Sequence, residues 1–349
     1  MQRARCVAAG SKPVQLDAMK RTGNLFDTFA SFPNLLLAYQ KARRGTRANH
    51  ETGHFFLNLE SLLFQLQEEL LSMTYQPEPY SYFQIYDPKV RTISVAAFRD
   101  RVVHHALVNV LEPIYEKIFI DTSFATRKDK GHHQAILKAQ QLLGQKPWFL
   151  KSDVDQYFAS IHQETLLAII ERKIKDRRLL EITSRIVHNG GDSGYGLPIG
   201  NLTSQFFANV YLNELDYFVK HQLKAKHYVR YMDDFVVFSG DRDAPKKYRS
   251  EIAAFLAEKL RLQLKPPATF INQAANGLTF LGRRIFPQQI RVARPNLVRM
   301  LRRIKLKEQA FQDGELDEET FLASMNSYWA ALNFGDTFQL RKQLVTSNE

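Results

Sequence analysis

The sequence predicts an α+β fold. Three observations carry that expectation: leucines recur at helical spacing near the N-terminus, two short apolar runs each end on aspartates, and strand-like and helical stretches mix without strict alternation. The chain has 349 residues, of which 44% are hydrophobic, enough apolar material for a sizeable core and for more than one subdomain. Nothing repeats at a fixed period, and no low-complexity linker divides the chain.

Residues 26–74 read as helical, because Leu59, Leu62, Leu63, Leu66, Leu70 and Leu71 recur three and four apart and so line one apolar face. From residue 80 to 95, aromatic and β-branched residues alternate with polar ones through Tyr82, Phe83, Ile85, Tyr86 and Thr92-Ile93. This predicts a hairpin turning at Asp87-Pro88-Lys89. A helix over about Phe98–Phe119, a basic stretch at Thr126–Lys130 and a helix from about Gly131 follow. Trp148–Val154 reads as a short buried strand that runs out onto acids. A helix is expected from about Gln163 to His188, then a glycine-rich turn from Gly190 to Gly200 and a helix over about Leu202–Leu223. Tyr228–Arg230 and Phe235–Phe238 are strand-like on either side of Met232-Asp233-Asp234. Ala244–Leu260 is helical, and short strands are expected at 261–271 and 278–286. Pro295 opens a basic helix to about Gln312, and a last helix spans about Glu318–Leu332.

The formal net charge is +12, which makes a polyanion, nucleic acid first, the expected partner; a well-solvated basic surface is the plainer reading. Residues 1–24 carry Arg3, Arg5, Lys12, Lys20 and Arg21 against Asp17, with no long apolar stretch, so they read as a flexible basic arm rather than a signal peptide. The single cysteine, Cys6, excludes an internal disulfide and a cysteine-based zinc site, and fits a reducing compartment. His104-His105 and His132-His133 are adjacent pairs that do not share a helix face, so no zinc site is expected there. No stretch approaches the roughly 18 consecutive apolar residues of a membrane span.

The chemistry concentrates in two segments. In Tyr228–Phe238, Asp233 and Asp234 stand between two apolar runs, so a hairpin there carries its acids at the tip while its flanks are buried. Carboxylates beside a buried sheet are costly unless a cation neutralises them, and Mg²⁺ prefers such oxygen ligands together with substrate phosphates. An aspartate-rich turn is the alternative, but a solvated turn does not need apolar flanks. In Phe149–Phe158 a second strand runs out onto Asp153 and Asp155. Asp153 reads as a metal ligand and Asp155 as a helix N-cap. Acids from two strands can hold two metals for in-line phosphoryl transfer.

Tyr231-Met-Asp-Asp234 resembles the YxDD signature of reverse transcriptases, and Asp153 matches their first catalytic aspartate. The resemblance continues in order over roughly residues 85 to 285. Phe158 stands where the family carries an aromatic steric gate against a ribose 2′-OH. Arg91 and Arg127 fall where the fingers contact the incoming triphosphate. Gly196-Leu-Pro-Ile-Gly-Asn-Leu-Thr-Ser-Gln205 resembles the segment lining the nucleotide pocket, which brings in Ile199, Gly200 and Gln205. Lys265 resembles the palm lysine, placed to protonate the leaving pyrophosphate, and Phe280-Leu-Gly-Arg283 the primer grip, with Leu281 and Gly282 at its centre.

The resemblance implies a right-hand polymerase fold: an N-terminal helical region (1–80), fingers (81–152), a palm with interleaved fingers segments (153–288) and a helical thumb (289–349). It implies two Mg²⁺ ions held by Asp153, Asp233 and Asp234, with the Val154 carbonyl completing one shell. Template RNA, primer and dNTPs are the implied partners. Arg299, Arg302 and Arg303 lie at helical spacing and would meet template or primer phosphates; a solvated face is the alternative.

Many reverse transcriptases have Gln-Gly in the pocket segment and end it Ser-Pro, whereas this chain has Ile199-Gly200 and ends Ser204-Gln205. That variant resembles the enzymes of diversity-generating retroelements, which copy a template RNA with frequent errors at adenines. Ile199 cannot donate the hydrogen bonds of a glutamine, so the pocket loses a polar contact that could discriminate bases; a plain core isoleucine is the alternative. This subtype implies a small basic accessory protein as partner and a bacterial or phage-encoded, cytoplasmic enzyme. The rivals are a reverse transcriptase of group II intron, retron or phage-defence type, and a non-catalytic RNA-binding scaffold on a polymerase fold.

Overall fold

The structure is a computed structural model that describes residues 21–46, 50–86 and 89–346. Most of the expected basic arm, and Asp87 and Pro88 of the expected hairpin turn, lie outside the described residues.

Four helices open the chain: α1 (Phe26–Phe29), α2 (Phe32–Arg43), α3 (His50–Leu57) and α4 (Leu59–Leu71). Ser31 caps α2 by accepting the Asn34 N–H. Of the leucine face, Leu63, Leu66 and Leu70 are buried, but Leu71 is half exposed, because one residue beyond Leu70 turns it about 100° off the face. Strands β1 (Ser81–Ile85) and β2 (Arg91–Val95) form the expected antiparallel hairpin. Helix α5 (Phe98–Tyr115) ends short of Phe119; α6 (His132–Leu143), β3 (Trp148–Ser152) and the short α7 (Tyr157–Ser160) follow.

The single helix expected over Gln163–His188 is two, α8 (Gln163–Lys173) and α9 (Arg177–His188). Ile174 is extended between them, and the Asp176 carboxylate caps α9 while accepting the Leu25 and Phe26 N–H groups at 2.9 and 3.0 Å. That clamp needs partners from the far end of the sequence. Helix α10 (Leu202–Tyr217) runs on through one π-helical turn, Phe218–Gln222. Then come β4 (Tyr228–Tyr231), β5 (Asp234–Ser239), α11 (Ala244–Leu260) and β6 (Phe270–Gln273). The strand expected over 261–271 is largely irregular, since Pro266 and Pro267 have no N–H to give a ladder. The strand expected over 278–286 is a hairpin, β7 (Leu278–Phe280) and β8 (Arg283–Phe286), extended by β9 (Gln289–Val292). Helices α12 (Arg294–Gln312), α13 (Glu318–Leu332) and the unexpected α14 (Phe338–Thr346) close the chain. Among the described residues, no helix is long and apolar enough to cross a membrane.

The sheet that organises the middle of the chain is antiparallel with order β4-β5-β3-β6. Alternate residues of its central strands serve two cores. Leu150, Phe235 and Val237 join Tyr211 and Leu215 of α10 and Ile252 and Leu256 of α11. Phe149, Val236 and Phe238 join Ile136, Ala139 and Leu143 of α6 and Leu278, Phe280 and Ile285 of the β7-β8-β9 sheet. A strand covered on both faces reads as an unbroken apolar run, which is why Phe235–Phe238 shows no alternation. Burying each such side chain stabilises by about 1.5–3 kcal/mol relative to exposure, so the ends of these strands are rigid platforms for what they carry.

Candidate active site

The sheet brings the acids together. Ser152 pairs with Phe235, so Asp153, leaving the end of β3, lies across from Asp234 at the start of β5. Tyr231 pairs with Asp234, which leaves only Met232 and Asp233 to turn between β4 and β5. Met232 adopts a left-handed backbone (φ 55°), the conformation a two-residue hairpin demands and a strain for a side chain of its size.

The acids are electrostatically frustrated. Burial pushes the Asp233 carboxyl well above the usual range, and the adjacent Asp153, within hydrogen-bonding reach, pushes it further. One Asp153 oxygen, Oδ1, is buried with no hydrogen-bond partner. Burial raises Asp234 to about 6, although Lys151, whose Nζ lies 3.0 Å from its Oδ1, pulls it down. A divalent cation would resolve this arrangement: it takes oxygen ligands and cancels the repulsion between Asp153 and Asp233. Among the described residues, no three His, Cys, Asp or Glu side chains form a ready-made metal cage. Asp234 is engaged by Lys151, so a cation held by Asp153 and Asp233 would need further oxygen ligands from outside the protein to complete its shell.

The remaining expected residues divide. The Asp153 carbonyl accepts the Lys265 N–H at 2.8 Å, which brings Lys265 beside the acids. The Val154–Leu264 bridge uses that carbonyl and the Asp155 N–H, so the Val154 carbonyl takes no part in it. Phe158 and the segment of Ile199 and Gly200 meet: the Leu197 N–H donates to the Phe158 carbonyl and the Ser94 N–H of β2 to the Ile199 carbonyl, both at 2.8 Å. Gln205 is half-buried in the first turn of α10. Leu281 and Gly282 form the β7–β8 turn with φ of 47° and 79°, and Gly282 is tied to the start of α12 through its carbonyl and the Ala293 N–H. Arg302 and Arg303 are exposed on α12, and Arg299 half-buried on the same face.

Arg91 is exposed at the start of β2, in the two-stranded sheet rather than in the sheet that carries the acids. Arg127 is committed elsewhere. It donates to Glu116 at 2.8 to 3.1 Å and to the Ile120 and Ser123 carbonyls at 2.6 and 2.8 Å, so in this conformation it braces the loop after α5 rather than offering its guanidinium to a ligand. Asp155 does not cap a helix as expected; the residue before α7 is Gln156, in a left-handed conformation, with no side-chain cap.

Two charged groups near the acids are not expected from the sequence. Lys151 hides inside an apolar strand, where a lone charge needs a partner; the alternation puts it on the same side of β3 as Asp153, facing Asp234. Arg230, also in an apolar strand, is fully buried against Asp216 of α10 and donates to the Met232 carbonyl at 3.0 Å. A charge interrupting a strand-like run is the signal that could have found both.

The model of the reverse transcriptase (RNA-dependent DNA polymerase) family matches residues 86–285, which contain all three acids. The chain is 27% identical over 281 residues to protein YkfC of Escherichia coli, covering 67% of this chain and 73% of that protein. It is 24% identical over 318 residues to the group II intron-encoded protein LtrA of Lactococcus lactis, covering 70% of this chain and 52% of LtrA, so it spans about half the length of that relative. A shorter likeness, 28% over 112 residues, is to the mitochondrial nuclear intron maturase 1 of Arabidopsis thaliana, covering 28% of this chain and 16% of that protein. The matched region takes in more than half of the chain and the whole carboxylate-bearing sheet, and the protein therefore belongs to the reverse transcriptase (RNA-dependent DNA polymerase) family.

Proposed function

We propose that the protein extends a primer 3′-OH along an RNA template with dNTPs, releasing pyrophosphate, and that it does so with the error-prone chemistry of a diversity-generating retroelement. The observation that carries the polymerase reading is the pair Asp153 and Asp233, held in hydrogen-bonding reach at the end of a buried sheet, with Asp153 Oδ1 buried and without a hydrogen-bond partner. Asp153 and Asp233 would hold two Mg²⁺ ions, with the Val154 carbonyl and phosphate oxygens completing the shells, and the ions would supply activation of the 3′-OH and charge neutralisation at the α-phosphate. Asp234, paired with Lys151, keeps the local charge balanced.

In this reading residues 81–152 are fingers, 153–288 palm and 289–349 thumb, behind an N-terminal helical region. Arg91, at the exposed start of β2, swings onto the triphosphate, where a guanidinium suits phosphate oxygens. Arg127 stiffens the fingers loop from within. Lys265, beside Asp153, hands a proton to the leaving pyrophosphate. Leu281 and Gly282 seat the primer end, and Arg299, Arg302 and Arg303 meet backbone phosphates. Phe158 bounds the sugar and Ile199 the base. A basic accessory protein is the further partner that the subtype brings.

Phe158→Ala should raise ribonucleotide incorporation relative to dNTP by about 10–100-fold, as expected when a pocket wall that excludes one hydroxyl is removed. Single-nucleotide kinetics with paired dNTP and rNTP would measure it, and unchanged sugar selectivity would reject the gate.

The error-prone reading rests on Ile199 and Gln205. Primer extension on a primed RNA with Mg²⁺, followed by sequencing, tests it: errors should concentrate opposite template adenines, and Ile199→Gln should reduce them several-fold, on the order of 1 kcal/mol of restored discrimination. A second reading, an intron-type reverse transcriptase, is supported by the likeness to LtrA. An even error spectrum that Ile199→Gln leaves unchanged would favour it.

A further inference from the structure

The loop from Asn189 to Asn201 has little regular structure, yet it carries Ile199 and touches Phe158. Two buried amide side chains anchor it, Gln163 and Asn201, only 3% and 4% exposed. Gln163 opens α8, and its Nε2 donates to the carbonyls of Val187, Gly190 and Gly196 at 3.2, 2.5 and 3.0 Å. Its backbone N–H also donates to the Gly194 carbonyl at 3.0 Å. One side chain thus gathers the end of α9 and both limbs of the glycine turn. The fit leaves no slack: a Cβ on Gly191, at φ 92°, would lie 2.1 Å from the Tyr195 carbonyl oxygen and 2.8 Å from Gln163 Nε2.

Beyond this anchor the loop is stitched twice. The Gly196 and Leu197 N–H groups donate to the Ile161 and Phe158 carbonyls, each at 2.8 Å. The Ser94 N–H donates to the Ile199 carbonyl at 2.8 Å, and Asn201 Nδ2 returns a bond to the Ser94 carbonyl at 3.2 Å. Gly200 sits so close to β2 that a Cβ there would meet Ile93 Cγ2 at 2.8 Å and the Ser94 carbonyl oxygen at 2.9 Å. The places of Phe158 and Ile199 are therefore set by one loop, and the loop is set by Gln163 on one side and Asn201 on the other.

We propose that Gln163 and Asn201 are positioning residues for nucleotide selection, fixing through this loop the distance between the wall that meets the sugar, Phe158, and the wall that meets the base, Ile199. The inference rests on the dNTP-pocket reading above and deepens it. Gln163 holds the buried carbonyls of Val187, Gly190 and Gly196, and Asn201 holds that of Ser94; a buried acceptor left unpaired moves to find water, and the loop moves with it.

The test is single-nucleotide incorporation by the full chain with correct dNTP, mismatched dNTP and rNTP, comparing wild type with Gln163→Met and Asn201→Asp. Met keeps the length of Gln163 without a donor, and Asp keeps the shape of Asn201 while placing an acceptor against the Ser94 carbonyl. The expected result is a KM for correct dNTP raised about tenfold with kcat within about threefold, and a preference for dNTP over rNTP reduced about tenfold in Gln163→Met. Asn201→Asp should raise misincorporation. Thermal melts run alongside; if either variant unfolds below the assay temperature, Asn201→Ala, which loses a single bond and buries no charge, decides the matter. Folded variants with unchanged KM and unchanged selectivity, or with a loss in kcat alone, would overturn the proposal while leaving the polymerase reading intact. A wild type that incorporates no nucleotide would overturn both.

Discussion

Asp233→Asn is expected to lower primer extension by about 10³-fold or more, roughly 4 kcal/mol of barrier, while leaving the metal-free protein at least as stable as wild type at neutral pH. The two halves of this result come from the same cause. Asp233 is buried beside Asp153, and both effects raise its pKa above the value of about 3.9 that an aspartate has in an unfolded chain. A carboxyl raised in the folded state contributes stability below the unfolded pKa and loses it as the pH rises through the folded value. At neutral pH the ionised pair is thus a cost to folding, and asparagine, close in shape and uncharged, removes it. Asp234, raised to about 6, adds to the same trend, so the metal-free wild type should lose stability as the pH climbs from about 4 towards neutrality. Mg²⁺ should raise the melting temperature of wild type, because a ligand bound only by the folded state stabilises it, and should do so far less for the variant. Extension and melting curves with and without Mg²⁺ check this. Activity within tenfold of wild type, or a variant that melts lower without metal, would remove Asp233 from the metal site.

The parts of this structure legible in the sequence are those whose cause is local. Phe235–Phe238 announces a strand covered on both faces, and Ala244–Leu260 matches its helix end for end. The acids were legible because two strands that must be buried both run out onto charges. What is not legible depends on partners far apart in the chain. The break between α8 and α9 is made by Asp176, whose carboxylate is shared with Leu25 and Phe26, some 150 residues away. Arg127 is bound to Glu116 and two carbonyls by a loop that folds back on itself, a closure no periodicity encodes. The hairpin at Leu281-Gly282 looks in sequence like one strand because a leucine at φ 47° is a costly turn residue, held by the contact of Gly282 with the start of α12. Lys151 and Arg230 were visible as charges in apolar strands, but their partners, Asp234 and Asp216, become apparent only once the register of the sheet and the packing of α10 are known.

Asp216→Ala is expected to destabilise the protein by roughly 3–5 kcal/mol, the cost of leaving a buried charge without its partner. Arg230 and Asp216 are both fully buried, joined by Nε–Oδ1 and Nη2–Oδ2 contacts of 2.7 and 2.6 Å. The Tyr228 hydroxyl donates to Oδ1 at 3.0 Å, and Arg230 Nη1 donates to Asn209 at 3.1 Å and to the Met232 carbonyl at 3.0 Å. Burial alone would lower the Arg230 pKa, but Asp216 overrides it and keeps the guanidinium charged. The last of these bonds reaches the turn that carries Asp233, so the network has two separable consequences. A buried ion pair replaced on both sides by apolar residues of similar volume costs little, since the desolvation of the charges is recovered. Asp216→Leu combined with Arg230→Met should therefore regain part of the stability lost by Asp216→Ala in urea melts, less the cost of leaving the buried Tyr228 hydroxyl and Asn209 oxygen unpaired. It should not regain primer extension, because nothing in the double variant holds the Met232 carbonyl and the left-handed turn is free to relax away from Asp153. A double variant that folds and extends primers like wild type would show that the turn keeps its shape without Arg230; one that folds but stays inactive, with its Mg²⁺-induced rise in melting temperature diminished, would place the buried pair among the groups that hold the catalytic turn in register.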